Sequence, residues 1–296
     1  MVHKNREGKL FPKAPFDFKK SLEFINRFTP AADEQTVHIK SFTKAVYLED
    51  QVLAFKIEDR GQVEEPELYY TFYSEDEINK KIKTELEDRI SFYLSLDDDL
   101  NPFYAIGNED KKFNQIIRKL YGLHQVKFLT PFEAASWAVL SQRISMKAAH
   151  TMKNNITRDV GDHIEVDGKD YWTFPDASQI KKLGVEKLHS IIKNQRKTEY
   201  LTRVAEAFDQ VDEKFLREED IEEVKEWLIN IKGIGEWSAH LELIRGLGRM
   251  DDKPQHDRTL AKCFRQIYGS DENYEETLER YGNYKGYWAY YMRTTC

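Results

Sequence analysis

Two short stretches of this 296-residue chain carry residues whose types and spacing suit chemistry. Gly233-Ile234-Gly235 places two glycines around one apolar residue, a tight turn that exposes consecutive backbone N–H groups. Without a Cβ at either glycine, and with a helix starting there, a phosphate can approach regardless of base sequence. Ile234 would anchor the turn in the core. A G-x-G on its own equally marks an ordinary helix–helix connection. Here it is flanked by Ile231 two residues ahead and by Trp237 and Ala239 behind, which completes the pattern of a helix-hairpin-helix over residues 228–240. Twenty-two residues after Gly235 comes Asp257, which follows Pro254 and opens a new helical pattern. An aspartate at that place is commonly a helix cap. A buried carboxylate there can also stabilise a developing cation and orient or deprotonate an attacking water.

The elements that hold these residues fall into two parts. The predicted division is a β-rich region over 1–100 and a helical core over 101–296. In the first, runs rich in Val, Phe and Tyr at 38–42, 44–48, 51–57 and 67–73 read as antiparallel strands, and 76–94 as a helix laid on them. In the second, helices are expected at 110–121, 131–153, 178–183, 185–192, 195–209, 220–230, 257–268, 274–280 and 286–293. Thr130, Pro131 and Glu133 form a capping-box spacing at the start of the second of these. The predicted fold class is α+β: an antiparallel sheet region followed by an all-α core of two helical subdomains.

The order hairpin, Gly/Pro-containing connection (Gly246, Gly248, Pro254) and helix-opening aspartate resembles the HhH-GPD DNA glycosylase superfamily. Within it, the chain is most similar to the 3-methyladenine DNA glycosylase II type, over about residues 100–296. Pro131-Phe132-Glu133-Ala134, Leu140-Ser141-Gln142-Arg143-Ile144-Ser145, Phe174-Pro175 with Leu183-Gly184, and Arg196-Lys197 carry that likeness. Pro15-Phe16-Asp17-Phe18 resembles the family's opening P-Y-D-W more loosely. The resemblance implies base excision repair: a damaged base, an alkylated purine in the first instance, is flipped from duplex DNA and its N-glycosidic bond hydrolysed. It gives Asp257 the catalytic role. Trp237 stands where bifunctional members carry a Schiff-base lysine, which implies hydrolysis without strand cleavage. Phe24, Trp237, Leu241 and Arg293 fall at pocket positions. Lys232, Gly233, Ile234 and Gly235 fall at the DNA backbone, and Gln142, Arg143 and Ile144 at the wedge that fills the vacated stack. The carbonyls of Ile229, Ile231 and Gly233 match those that hold a monovalent cation, Na+ or K+, in the family. His256 precedes Asp257, and a lone histidine there is more often structural. Departures bear on the lesion: the family's C-terminal W-x-P-W-R becomes Tyr281-Gly-Asn-Tyr284-Lys285, and a later pocket tryptophan becomes Arg293. An oxidised or deaminated base on the same fold, a non-catalytic DNA binder, and a structural hairpin with a protein partner for the N-terminal region are the other readings.

Composition sets limits on these. Two cysteines, Cys263 and Cys296, are too few for an iron–sulfur cluster with four cysteine ligands or a four-cysteine zinc site within the chain. No cofactor is expected to be required. The few cysteines, the lack of an apolar stretch behind the basic start and the absence of a membrane-length apolar run point to a cytoplasmic protein, nucleoid-associated if bacterial. A monomer on double-stranded DNA is expected. The net charge of −7 opposes DNA binding overall. Its distribution permits it locally: residues 101–160 hold 9 Lys/Arg against 4 Asp/Glu, whereas 1–100 and 201–296 each carry a net −6. That basic block includes Lys111, Lys112, Arg118, Lys119, Lys127, Arg143, Lys147 and Lys153.

Overall fold

A computed structural model describes residues 3–32, 34–255 and 257–296; His256 lies outside the described residues. Strands β1 (His3–Leu10), β2 (Gln35–Val37), β3 (Ser41–Leu48), β4 (Gln51–Asp59) and β5 (Leu68–Ser74) make an antiparallel sheet of order β1-β5-β4-β3-β2. Period-2 alternation sorts its side chains. Leu53, Phe55 and Ile57 face one side, where Phe42, Tyr70 and Phe72 join them. Helices α1 (Phe18–Arg27) and α2 (Lys80–Leu94) close that side with Leu22, Ile25, Leu86 and Ile90. The opposite face has small side chains, Ala45 and Ala54, and receives a second hairpin.

The helical part follows as α3 (Asn101–Glu109), α4 (Asn114–Leu120), α5 (Pro131–Leu140) and α6 (Met146–Val160), then β6 (His163–Val166) and β7 (Lys169–Trp172). After these come α7 (Ala177–Leu183), α8 (Val185–Ile192), α9 (Gln195–Phe208), α10 (Glu213–Glu218) and α11 (Ile221–Asn230). The last four are α12 (Glu236–Leu241), α13 (Arg258–Tyr268), α14 (Tyr274–Glu279) and α15 (Lys285–Thr295). α12 widens directly into a π-helical turn, Glu242–Gly246.

Several expectations need correcting. The run 38–42 is not one strand: His38 N donates to Ser41 O at 2.7 Å, so a tight turn separates β2 from β3 there. The strand β1 and the hairpin β6–β7 were missed. The latter carried a signal, Asp167-Gly168 between alternating residues, and both take positive φ (52° and 77°) in its turn. The helix over 131–153 is two helices. Thr130 does cap Glu133 N at 3.1 Å, but the Glu133 carboxylate turns inward to Lys153 instead of back to the cap.

That inward turn belongs to a buried charge network. Lys153 pairs with Glu34 and, at 2.9 Å, with Glu133; Lys44 of β3 pairs with Glu34 at 3.1 Å. Burial pushes the Glu34 carboxyl up, but the two lysines outweigh it and hold its pKa below the ordinary value. Two cations facing two anions satisfy one another, so the network ties the sheet to α5 and α6 without an isolated buried charge.

The break after α5 has its own cause. Lys197 of α9 donates its Nζ to three carbonyls, Val139 (3.1 Å), Leu140 (2.8 Å) and Gln142 (2.8 Å). Those acceptors lie at and just past the end of α5, so one lysine caps that end ahead of the loop 141–145. The hairpin between α11 and α12 is equally determined. Gly233 sits at φ +107°, and a Cβ there would fall 2.5 Å from the Tyr200 ring. A Cβ on Gly235 would meet nothing within 4 Å among the described residues.

Two stability predictions follow. Gly233→Ala is expected to lose about 1–3 kcal/mol in urea unfolding, from backbone strain and the Tyr200 clash, whereas Gly235→Ala is expected to unfold like the parent. Equal losses would contradict this account of the turn. Glu242, in the π turn, is fully buried, and neither carboxylate oxygen has a hydrogen-bond partner among the described residues. Burial, with Glu213 second, raises its pKa well above 4.5. The folded state then keeps a proton that the unfolded state releases, so stability falls as pH rises above 4.5 until the folded value is passed. Glu242→Gln should flatten that fall across roughly pH 5–8; an unchanged slope would show that Glu242 is ionised when folded.

Candidate active site

α1, α12 with its π turn, α15 and the segment ahead of α13 enclose a cavity of about 760 Å³. Helical spacing on the second hairpin helix explains one wall. Trp237, His240, Leu241, Ile244 and Arg245 recur at three- and four-residue steps and all line the cavity. Phe24 and Phe28, stacked at 5.3 Å between centroids, come from the opposite side on α1 and the turn after it. Trp237 remains 47% exposed, at the rim. All four expected pocket residues, Phe24, Trp237, Leu241 and Arg293, line this cavity.

Asp257 also lines it. As the N-cap of α13 it accepts from Leu260 N at 2.9 Å, so the cap role and a chemical role coincide in one side chain. Its carboxylate is met by Arg293 from α15 through two hydrogen bonds, Nη1 to Oδ1 at 3.2 Å and Nη2 to Oδ2 at 3.0 Å. Arg293 Nη2 also donates to Gln255 O at 3.3 Å, which pins the segment ahead of the helix. The expectation of a buried carboxylate is corrected: the Asp257 side chain is 40% exposed, because it stands at the cavity mouth and not at its floor. Partial burial pushes its pKa up, but the Arg293 hydrogen bonds and the Leu260 and Thr259 N–H groups pull it further down. The net shift is below 3.8, so the group is anionic at neutral pH.

His240 organises the approach to Asp257. Its Nδ1 lies 2.7 Å from Asp252 Oδ2, and its Nε2 accepts from Gln255 N at 3.4 Å. The second bond makes Nε2 the acceptor, so the proton sits on Nδ1 and is donated to Asp252. The sequence reading passed over His240, although it lies three residues from Trp237 on the same face.

The loop after α5 approaches the hairpin. Gln142 Nε2 donates to Gly233 O at 2.8 Å and lies 3.3 Å from Ser238 Oγ, which spends that side chain on the hairpin. Ile144 packs inward beside Phe128, Trp137 and Leu241. Arg143 is exposed, on a left-handed backbone of φ 54°. Of the three wedge candidates it alone presents outward, along with the half-exposed Met146. Lys232 is 62% exposed and paired with Glu199. Ile234 is buried in the helical core, and Gly235 leaves open space in front of the turn. Of the carbonyls expected to hold a monovalent cation, Ile231 O accepts from Ile234 N at 2.9 Å and Gly233 O from Gln142 Nε2. In the basic block, Lys127 and Lys153 are buried and Lys112 is paired with Glu272. Lys111, Arg118, Lys119, Arg143 and Lys147 are exposed.

Known proteins share this fold. A profile described as "HhH-GPD superfamily base excision DNA repair protein" matches residues 136–284. A Bacillus subtilis protein named DNA-3-methyladenine glycosylase is 34% identical over 167 residues, covering 56% of this chain and 55% of that protein. This chain thus matches only about half the length of that relative. Among solved structures, the 3-methyladenine DNA-glycosylase from Archaeoglobus fulgidus aligns with a TM-score of 0.80 at 22% identity, over 97% of each chain. The Clostridium acetobutylicum 8-oxoguanine glycosylase/lyase, solved with double-stranded DNA, aligns at 0.69 and 15% over 100% of this chain and 97% of its own. At such identities these two speak for the fold. The profile spans half of the chain, taking in the hairpin, the connection and the helix that Asp257 opens: the chain belongs to the HhH-GPD superfamily of base excision DNA repair proteins.

Proposed function

We propose that this protein is a monofunctional DNA glycosylase that flips a damaged base out of duplex DNA and releases it by hydrolysis, with an alkylated purine as the first substrate class. The observation that carries this reading is an ionised aspartate at the mouth of an aromatic cavity, behind a hairpin whose second glycine faces open space. The Bacillus subtilis relative's name supports the alkylated class.

The hairpin turn and the exposed cations of 101–160 take the phosphate backbone, and Arg143 fills the gap that the base leaves. The base enters between Phe24, Trp237 and Leu241. As its bond to the sugar lengthens, positive charge grows on the sugar ring, and the Asp257 carboxylate stabilises it. Asp257 also orients the water that attacks: its oxygen bonds to the anomeric carbon and stays there as hydroxyl, one of its protons passes through Asp257 to solvent, and the electron pair of the broken C–N bond leaves with the base. The monovalent cation on Ile229, Ile231 and Gly233 would stiffen the phosphate-binding turn. The work is done wherever the DNA is, the cytoplasm or nucleoid.

The test is a duplex panel of alkylated, deaminated and oxidised bases under single turnover. The parent should release at least one base, and Asp257→Asn should slow that release by about 10²–10⁴-fold. Full activity in Asp257→Asn, or no release at all, would overturn the reading. Borohydride should trap no covalent adduct, since Trp237 offers no amine. Because the Asp257 pKa is lowered, the acid limb of the rate should lie below 3.8, and Arg293→Gln should move it upward.

A further inference from the structure

We propose that Gln125, with Arg245 beside the same cavity, reads the edge of the extruded base by hydrogen bonds; the inference rests on the cavity being a base pocket. Gln125 lines the cavity and is fully buried. Its backbone is engaged: its carbonyl accepts from Ser95 Oγ at 2.7 Å and its N–H reaches Tyr287 Oη at 3.5 Å. Its side chain is not. Both Oε1 and Nε2 are buried without a hydrogen-bond partner among the described residues. A carboxamide left this way loses its hydration with nothing in return. Arg245, hydrogen-bonded to Tyr290 beside it, stands in the wall of the same cavity. An unmatched amide thus stands in the wall of a cavity whose lining mixes aromatic and aliphatic side chains with polar and charged ones such as His240, Asp257 and Arg293.

The chemistry of the set defines what completes it. A carboxamide offers one acceptor and two donor hydrogens, a complement for a base edge that carries an acceptor next to a donor. Arg245 adds a donor and a fixed positive charge. Its guanidinium lies 4.7 Å from the Phe24 centroid and 5.0 Å from that of Phe28. Those ring faces, which would otherwise attract a cationic base, already hold a cation. The fitting ligand is therefore a purine whose edge carries an oxo or similar acceptor beside an N–H.

The test reads binding without turnover. Free hypoxanthine carries adjacent acceptor and donor groups; unsubstituted purine keeps the rings and lacks the oxygen. Quenching of tryptophan fluorescence reports their binding, with Trp137 and Trp237 in the cavity wall. The parent should bind hypoxanthine about tenfold or more tightly than purine, the worth of one good hydrogen bond. Gln125→Leu should bring the two within about threefold while leaving purine binding and thermal stability unchanged or improved, because it removes unpaired polar atoms. Gln125→Met keeps the unbranched stem and answers for any packing fault of leucine. A preference that survives in both variants, as expected if the amide holds only internal water, overturns the proposal, as does a parent that binds neither base. Edge preference without base release from any duplex would remove the glycosylase reading and leave Gln125 in its role. Base release with a preference unchanged by Gln125→Leu would do the reverse.

Discussion

The ion pair between Asp257 and Arg293 is the interaction on which the site depends. A carboxylate beside an aromatic cavity is pushed toward its neutral form by partial burial, and a neutral acid stabilises no cation. Two N–H groups at the head of α13 and two from Arg293 reverse that push. The surrounding elements serve the same geometry. α15 delivers Arg293, the His240–Asp252 contact steadies the segment ahead of α13, and the hairpin sets where α12 begins. Arg293 also exacts something: a cation bonded to the carboxylate opposes a second cation on the sugar. Exposure at the mouth tempers that opposition, since water screens a charge pair that a closed pocket would leave at full strength.

Charge is managed locally throughout the molecule. The chain carries −7 overall, and of the lysines in its one basic block, Lys127 and Lys153 are turned inward. Lys153 is matched by two carboxylates, and Lys127 donates to Ser95 Oγ at 2.6 Å. The block's exposed cations include Lys111 ahead of α4, Arg118 and Lys119 at its end, Arg143 in the loop after α5 and Lys147 at the start of α6. The phosphate contacts proposed for them would accordingly be few and local.

Much of this was legible in the chain. Gly233, Ile234 and Gly235 announce the hairpin because a turn of that shape needs glycine and an apolar anchor. Asp257 is legible because a helix cap and a chemical carboxylate require the same residue type at the same place. The pocket residues Trp237 and Leu241 were found through resemblance, but His240 and Arg245 follow from Trp237 by helical spacing alone and were passed over. What was not legible depends on distant partners. Nothing near Lys197 in the chain says that it caps the end of α5. Arg293 could be placed in the pocket but not on Asp257, and Gln125 sits in a stretch without a motif, its side chain notable only for lacking a partner among the described residues. The hairpin β6–β7 was visible in Asp167-Gly168 and was lost to the helical pattern around it.

The central claim is that the Asp257 carboxylate is held ready for positive charge on the sugar. A duplex with a pyrrolidine in place of the target deoxyribose, protonated at neutral pH, presents that charge without any bond to break. The account predicts that the parent binds this duplex at least about a hundredfold more tightly than one with an uncharged tetrahydrofuran, and that Asp257→Asn abolishes the difference. Equal binding of the two duplexes by the parent, or a preference that persists in Asp257→Asn, would contradict it.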